Sequence, residues 1–565
     1  MMKKSVYIIA LASLCLLGGC DLDREIQTDI SPQYAYRNFD YTMMRANGLY
    51  GPLLRGFKYI DDAMMASATD EAEFVVQWAN VQNFNQGSWS ERVNPDNQWG
   101  HYFDAIRRCN LFLENCDNVD FDQWKMDPDE NQQIIYRKNL AKLENRKKEA
   151  RFLRAFYHFE LMKRYGGIPV MDRTYSLKDD YAGLTRRSLE DVVGFIAGEC
   201  KELAGEGGLP VSYEENLDYG RITKGAALAL RSRVLLYAAS DLYNDPTWAG
   251  GYQHPELISL TGDRRTKWAE AAQAAKDLIL MPESPYTLCN DYSKIGKDAN
   301  ISELILFRIE SQSNDLERIN YPIGYLGGGT GNTPSGNLVD AYQKSDGEKF
   351  DWTKPADKAD PYGNRDPRLK MSIITNNDTY KGRPVEIWEG GKDGQPIERS
   401  TRTGYYLKKF LDENINLLEN GTSVHVWPYF RLAEIYLNYA EALNESDPGN
   451  TDIKKYVDMV RDRENVRMPG MTVTSQQDVR EFIRNERRVE LAFEDHRAWD
   501  TRRWMIADKA ENLKLKGVKV TKSSSTGFVY QPSEVETRVF EPKMYFYPIP
   551  LNEINVTGWP QNPLW

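Results

Sequence analysis

Apolar residues recur at helical spacing in several separated stretches of this chain, and this recurrence limits the fold more than any other feature. Between residues 145 and 165, Ala150, Leu153, Tyr157 and Leu161 share one face at intervals of three and four. The glycine pair at 166–167 predicts the end of that helix. Similar patterns predict further helices at 223–240, 267–281, 430–444, 453–463 and 479–505.

The predicted helices are rich in alanine and aromatic residues, and the turn at 447–449 separates two of them. Small residues let paired helices pack closely, as in tetratricopeptide hairpins. We therefore predict a mainly α fold, a tetratricopeptide-like helical-hairpin scaffold with long irregular loops and few short strands. Loops as long as these usually carry function, and they cover 74–97, 314–337, 344–366 and 388–402.

Residues 1–19 have the form of a secretory signal peptide. A basic start (Lys3 and Lys4) precedes an apolar run of 14 residues, shorter than the roughly 20 that a spanning helix needs. Cys20 follows this run, as in a bacterial lipoprotein signal, and we predict that it is lipidated. Residues 20–35 are then a tether, and residues 36–565 form the body.

The charge and the cysteines of the chain limit its partners and its cross-links. A net charge of −11 repels phosphate backbones, so we do not expect a nucleic-acid partner. Six cysteines are too few for a disulfide scaffold in a chain of this length. Cys109 and Cys116 lie seven residues apart on a predicted helix and should stay reduced. The sequence leaves open whether Cys200 and Cys289 pair.

Motifs for catalysis are scarce. The five histidines form no His-Glu-x-x-His pattern, and the glycine run at 327–331 lacks the Lys-Ser/Thr pair of a phosphate-binding loop. We predict no cofactor, and the sequence does not decide whether a metal supports a loop. A glycoside hydrolase with paired carboxylates remains an alternative, for which the candidates are Asp61, Asp62, Asp70 and Glu71.

Aromatic residues are the more useful signal for a binding site. The chain has 13 Trp and 33 Tyr against 20 Phe, which favours surfaces with an apolar face and a polar edge, as sugar rings require. Trp78, Trp89 and Trp352 lie in polar loops and are predicted stacking platforms. Tyr325 is a further predicted ligand contact. Four tryptophans at helical spacing are predicted core residues: Trp99, Trp268, Trp499 and Trp504.

A series of short segments carries a family resemblance. They lie at 99–110, 149–157, 165–170, 224–233, 364–369, 431–436, 486–491, 547–550 and 561–565. Two examples are Asn-Arg-Asp-Pro-Arg-Leu at 364–369 and Tyr-Pro-Ile-Pro at 547–550. In this order they resemble the RagB/SusD family of surface glycan-binding lipoproteins over nearly the whole chain.

This resemblance implies a function without catalysis. Relatives of this kind capture an oligosaccharide or polysaccharide and form the lid of a SusC-like TonB-dependent transporter. The implied location is the outer membrane, with the N-terminal lipid as anchor and the body facing the cell surface. The RagB side of the family implies peptide capture as an alternative. One departure is Asp495, where many relatives carry glycine, and it affects a helix end.

Two charged residues complete the predicted ligand site. Asp70 is predicted to accept hydrogen bonds from sugar hydroxyls. Arg368 is predicted to donate to them, although its place in the 364–369 segment favours a structural salt bridge.

Overall fold

The structure, a computed structural model, describes residues 32–565 except 177, 180, 182, 215–217 and 524–526. The predicted signal peptide, Cys20 and the predicted tether up to residue 31 lie outside these residues, so the lipid anchor stays a prediction. The first described helix begins at Pro32, within the segment that the sequence assigns to the tether.

Helices dominate the described residues. They are α1 (Pro32–Arg37), α2 (Phe39–Gly48), α3 (Val81–Asn85), α4 (Trp99–Asn115), α5 (Asp122–Lys125), α6 (Glu130–Tyr165), α7 (Leu189–Ala204), α8 (Lys224–Ala239), α9 (Arg264–Ile279), α10 (Asp315–Asn320), α11 (Gly336–Ala341), α12 (Pro355–Ala359), α13 (Pro367–Ser372), α14 (Leu432–Ser446), α15 (Thr451–Arg461), α16 (Gln476–Glu490), α17 (His496–Arg503), α18 (Ala507–Ala510) and α19 (Leu551–Thr557).

Most of the strands are short, β9 and β10 being the longest with nine and ten residues, and they form two-stranded antiparallel sheets. They are β1 (Ala72–Phe74), β2 (Leu304–Ile309), β3 (Asn332–Pro334), β4 (Ile373–Ile374), β5 (Thr379–Tyr380), β6 (Arg383–Pro384), β7 (Tyr406–Leu407), β8 (Val426–Arg431), β9 (Lys514–Lys522) and β10 (Phe528–Thr537). The pairs are β1 with β3, β2 with β8, β4 with β7, β5 with β6 and β9 with β10. The predicted fold class, mainly α with few short strands, is confirmed.

Successive helices build the scaffold by packing side by side. Helix α6 packs against α4 and α7, α7 against α8, and α8 against α9. Helix α14 continues the series by packing against α9, α15 and α16. Alanines at 271, 272, 274 and 275 are buried on α9, which allows the close approach that the alanine-rich pattern predicts.

Side-chain caps fix the starts of these helices close to the predicted positions. The Thr223 hydroxyl accepts a hydrogen bond from the backbone N–H of Ala226 at 3.4 Å, and Asp263 accepts one from Thr266 at 2.8 Å. Such caps satisfy backbone donors that have no partner within the helix. The four tryptophans predicted as core are indeed buried: Trp99, Trp268, Trp499 and Trp504.

Helix α6 is longer than the apolar pattern predicts. It begins at Glu130, and the Asp129 side chain caps it by accepting from the N–H groups of Asn131 and Gln132. The first turns of this helix lie largely in solvent, with Ile134 and Ile135 exposed. Because this part packs few side chains, it shows no apolar stripe, and the prediction from residue 145 missed it.

The prediction of one helix over 479–505 is wrong. The chain forms α16 and α17, with a break at 491–495. Phe493 and Asp495 adopt φ values of 65° and 62°, a left-handed conformation that ends a helix. Asp495, the departure from the family resemblance noted above, therefore lies at a helix end, as expected.

Buried ion pairs join the second half of the scaffold around Glu490. We call this cluster the Glu490 network, and its members are Arg368, Lys409, Arg431, Arg461, Arg463, Asp366, Glu303, Glu486, Glu490 and Glu494. Burial opposes ionisation of Glu490, but Arg463, Arg431 and Arg368 outweigh it and lower the pKa of this carboxyl. The network includes residues of β8, α13, α15 and α16 and ties these elements together.

The cysteines among the described residues are free thiols: Cys109, Cys116, Cys200 and Cys289. The expectation for Cys109 and Cys116 is confirmed, and the open question about Cys200 and Cys289 resolves to unpaired thiols. Over residues 32–565, with the gaps given above, no helix combines the length and apolarity needed to cross a bilayer.

Candidate functional site

Three chain segments line an open cavity of about 760 Å³ beside the end of α10. This volume falls in the range of roughly 300–1,000 Å³ typical of ligand pockets. We call it the Tyr325 cavity, and its lining residues are Tyr321, Gly324, Tyr325, Leu326, Thr379, Lys381, Gly382, Arg383, Glu413, Asn414, Ile415, Asn416, Leu417 and Leu418. The segments come together from distant parts of the sequence.

The β5–β6 hairpin places two cations at this cavity. Its turn consists of Lys381 and Gly382, whose φ values of 46° and 80° suit a tight two-residue hairpin. Tyr380 pairs with Arg383 across the turn. Lys381 and Arg383 therefore lie at the hairpin tip, and both line the cavity.

Both cations lie over the faces of tyrosine rings. The Arg383 guanidinium carbon lies 3.8 Å from the centroid of the Tyr325 ring, and Lys381 Nζ lies 4.8 Å from that of Tyr321. These are cation–π distances. Tyr325 is only 7% exposed, donates its hydroxyl to the carbonyl of Tyr380 at 2.8 Å, and has its pKa raised to about 12 by burial. It forms a wall of the cavity, and an open stacking platform is excluded.

Hydrogen bonds fix the charged ends of these two side chains. The two terminal nitrogens of Arg383 donate to the two carboxylate oxygens of Asp393 at 2.7 and 2.9 Å. Lys381 Nζ donates to the backbone carbonyls of Glu413 and Ile415 at 2.6 and 2.7 Å. Lys381 therefore holds the hairpin against the 413–418 loop, and Arg383 holds it to the segment that contains Asp393.

The rim of the cavity alternates apolar and polar side chains. Leu326 and Leu418 are 72% and 67% exposed. Glu413, Asn414 and Asn416 are also exposed and line the same opening. Apolar groups beside amide and carboxylate groups suit a ligand that has apolar faces and many hydroxyls.

Trp78 is an exposed aromatic ring on a loop that backbone hydrogen bonds connect to the cavity wall. Its side chain is 82% exposed and it follows β1 by four residues. The N–H of Val75 donates to the carbonyl of Gly331 at 2.9 Å, and the N–H of Thr330 donates to that of Tyr321 at 2.9 Å. The loop of Trp78 is therefore connected through the glycine run to the cavity wall, and its indole has the exposure that a stacking platform requires.

Trp352 lies at a different place in the molecule. It is half-buried, its indole N–H donates to Asp340 Oδ1 at 2.9 Å, and its ring meets that of Phe350 edge-on at 5.0 Å. Asp340 and Phe350 line a second cavity, of about 410 Å³, between the 340–350 segment and α16. Trp352 is therefore not part of the Tyr325 cavity.

The prediction of Trp89 as a stacking platform is wrong. Its side chain is 2% exposed and contacts Phe84, Tyr547 and Trp565 edge-on, at centroid distances of 4.9, 5.1 and 4.8 Å. The polar loop that carries it lies under the C-terminal segment of the chain. A ring enclosed in this way cannot meet a ligand.

The prediction of Asp70 as a ligand acceptor is also wrong. Its carboxylate accepts from Arg497 at 2.7 and 2.9 Å and from Arg488 at 2.7 Å, and the residue is 3% exposed. Burial opposes ionisation, but the two guanidinium groups lower the pKa of Asp70. The neighbouring Glu71 is 1% exposed, and burial raises its pKa to about 8. Neither carboxyl reaches a surface.

Arg368 belongs to the Glu490 network. It has no exposed surface and pairs with Asp366 at 2.8 Å, Glu486 at 2.6 Å and Glu490 at 2.9 Å. The structural salt bridge that its motif favoured is present. The predicted contact between Arg368 and a ligand is wrong, because its donors are used inside the protein.

Sequence reasoning missed most residues of the Tyr325 cavity. A signal was present in Tyr-Lys-Gly-Arg at 380–383, a glycine turn with a cation on either side. The loop residues Glu413, Asn414 and Asn416 carry no comparable signal. Within the described part of the chain, no group of three or more His, Cys, Asp or Glu side chains could hold a metal ion.

Two family profiles match the chain. The profile of the SusD family matches residues 302–565. A SusD-like profile described as starch-binding associating with outer membrane matches residues 47–236. The matched residues include α4, α6 and α7 in the range 47–236, and α14, α15, α16 and the whole Tyr325 cavity in the range 302–565.

Individual relatives agree with these profiles. SusD-like protein P38 of Formosa agariphila is 24% identical over 527 residues, which covers 88% of this chain and 90% of the relative. A solved SusD-like protein of Bacteroides fragilis superposes with a TM-score of 0.76 at 24% identity, over 95% of this chain and 99% of the other. Surface glycan-binding protein A of Bacteroides fluxus gives 0.62 at 18% identity, over 93% and 99%. The chain belongs to the SusD-like family.

Proposed function

We propose that this protein captures oligosaccharides at the cell surface through the Tyr325 cavity and Trp78. The observation that carries the proposal is an indole with 82% exposure on a loop that backbone hydrogen bonds connect to the wall of a cavity, whose rim mixes leucine, amide and carboxylate side chains. An aromatic face stacks on the apolar face of a sugar ring, and the polar rim bonds its hydroxyls. The starch-binding description of the family profile and the surface glycan-binding protein of Bacteroides fluxus support this assignment.

The proposed activity is binding without catalysis. A glycoside hydrolase needs two carboxyl groups that reach the scissile bond. Asp70 and Glu71, two of the candidate acids, are enclosed by the protein. The family also supports a binding role, because its profile is described by the glycan that is bound.

The proposed setting is the outer membrane. A lipid on Cys20 would anchor the body, which would act as the lid of a SusC-like TonB-dependent transporter and deliver the captured glycan. The family profile associated with the outer membrane supports this location.

Replacing Cys20 with Ala should abolish glycan uptake by cells and leave the affinity of the purified protein unchanged. Normal uptake by this variant would contradict the role of the anchor.

Calorimetry against a panel of neutral and acidic polysaccharides, their oligosaccharides and extended peptides tests the binding proposal. We expect one glycan class to bind, and Trp78→Ala to weaken it at least tenfold. Val556→Ala is the matched control, since this apolar side chain is 86% exposed on α19 and does not line the Tyr325 cavity. Failure to bind any glycan, alone or with the transporter, overturns the proposal, and peptide binding would instead identify a RagB-like protein.

A further inference from the structure

Both cations of the Tyr325 cavity have their charge compensated within the protein. Arg383 makes its bidentate ion pair with Asp393, which has no exposed surface. Its remaining face lies on the Tyr325 ring. A guanidinium occupied in this way offers no free fork to a carboxylate or sulfate of a ligand.

Lys381 is compensated by a different arrangement. Two of its three N–H donors point to backbone carbonyls of the 413–418 loop. Burial lowers the pKa of Lys381, while the nearby carboxylates of Asp412, Glu413 and Glu317 favour its charged form. The ammonium group is therefore surrounded by negative potential from the protein itself.

Glu413 places a negative charge at the opening, and Asp412 and Glu317 remain to offset the charge of Lys381. The Glu413 side chain is exposed and makes no hydrogen bond or ion pair with any described residue, although it lines the cavity. Beside it, the Asn414 side-chain amide donates to Asp412, which leaves its side-chain oxygen as an available acceptor. The Asn416 side-chain oxygen accepts from the backbone N–H of Leu418, which leaves its amide N–H groups as available donors. The opening thus presents acceptors and neutral donors.

Such a surface discriminates between classes of glycan. A carboxylate accepts hydrogen bonds from neighbouring hydroxyl groups of a neutral sugar. The same carboxylate repels a uronate or a sulfate group, and the repulsion grows as the ligand displaces water from the cavity. We infer that the Tyr325 cavity selects neutral oligosaccharides over uronic-acid and sulfated ones, with Glu413 as the residue that sets this preference. The inference rests on the proposed function.

The composition of the bound glycan is the first test. The panel contains matched pairs that differ in charge: dextran with dextran sulfate, and methyl-esterified pectin with polygalacturonate, together with laminarin and alginate. We expect the glycan class that the wild-type protein binds to be neutral. Tighter binding of a charged member overturns the inference and leaves glycan capture intact, whereas no binding to any member overturns the proposed function itself.

Charge reversal at Glu413 is the second test. Glu413→Lys should lower the affinity for the neutral glycan at least tenfold and raise the affinity for polygalacturonate at least tenfold. The gain for polygalacturonate should be lost in 0.5 M NaCl. Glu413→Gln should lower the affinity for the neutral glycan about fivefold and raise the affinity for the acidic glycan only slightly. Glu419→Lys is the matched control, because this exposed residue of the same loop does not line the cavity. Equal effects of Glu419→Lys and Glu413→Lys would overturn the role of Glu413.

Discussion

Arg383 and Asp393 form a bidentate ion pair in which the carboxylate has no exposed surface and the guanidinium side chain is 27% exposed. Asp393 also accepts from the backbone N–H of Glu386 at 2.8 Å. The pair therefore holds the β5–β6 hairpin to the segment that follows it. The same guanidinium rests on Tyr325, so the wall of the cavity and the fold of the hairpin depend on one side chain.

Replacing Arg383 with Ala should destabilise the protein by about 2 kcal/mol, because the buried Asp393 carboxylate is left without its cation. The value is set below that of a fully buried pair because the arginine is partly exposed. Urea unfolding at neutral pH measures it. Arg383→Lys keeps a charge near Asp393 and should lose less than half as much. Equal stability of the wild type and Arg383→Ala would contradict the structural role of this pair.

Arg368→Met tests whether Arg368 stabilises the scaffold or contacts the ligand. Removing this cation leaves Asp366, Glu486 and Glu490 undercompensated in the interior, and we expect a loss of about 3–5 kcal/mol. Thermal unfolding should show a lower midpoint, while calorimetry on the folded protein should show unchanged glycan affinity. Lys349→Met, at an exposed lysine, is the control for stability. Weaker binding without a change in the midpoint would return Arg368 to the ligand site.

Asp495 should make the stability of the protein depend on pH. Burial raises its pKa from 3.8 to about 8, and its Oδ1 is buried without a hydrogen-bond partner. A raised pKa in the folded state means that folding takes up a proton between these two values. The stability contributed by the protonated form is complete below the unfolded pKa and is lost as the pH rises through about 8.

Asp495→Asn cannot ionise, so it should remove this dependence. Relative to the wild type, the variant should gain about 2 kcal/mol between pH 6 and pH 8, as measured by urea unfolding at each pH. Asp62→Asn is the matched control, because Asp62 also has a positive φ, 68°, and is exposed. Parallel pH profiles for the wild type and Asp495→Asn would show that the Asp495 carboxyl keeps its ordinary pKa.

The scaffold could be predicted from sequence because its determinants are local. The caps of Thr223 and Asp263 act within three residues, and apolar side chains three and four residues apart define the buried face of a helix. The motif around Arg368 also carries local information, since Asp366 is two residues away. The long exposed start of α6 was missed because it has no buried face.

The ligand site could be predicted only in part, because exposure depends on contacts far along the chain. Trp78 and Trp89 lie eleven positions apart in equally polar surroundings. Trp89 is covered by Tyr547 and Trp565 from the C-terminal segment, whereas Trp78 remains open. The Tyr325 cavity likewise needs the 321–326, 379–383 and 413–418 segments together, and no local pattern contains that information.

Gly331 connects the two parts of the proposed site, and its replacement should affect both. Its φ is 53°, and a Cβ there would lie 2.5 Å from Asn320 Oδ1 and 2.6 Å from the carbonyl oxygen of Ile319. Its own carbonyl accepts from the N–H of Val75, which leads to Trp78. Gly331→Ala must therefore displace the end of α10, the adjoining cavity wall or the Trp78 loop.

We expect Gly331→Ala to lose about 2–3 kcal/mol, of which about 1 kcal/mol is the cost of alanine at positive φ, and to weaken glycan binding at least fivefold. Gly207→Ala isolates the cost of alanine at positive φ, because Gly207 has a φ of 68° and open space around its Cβ position. Urea unfolding and calorimetry on both variants separate strain from displacement. If the two variants lose equal stability and both bind glycan normally, the close backbone approach at Gly331 does not position the site.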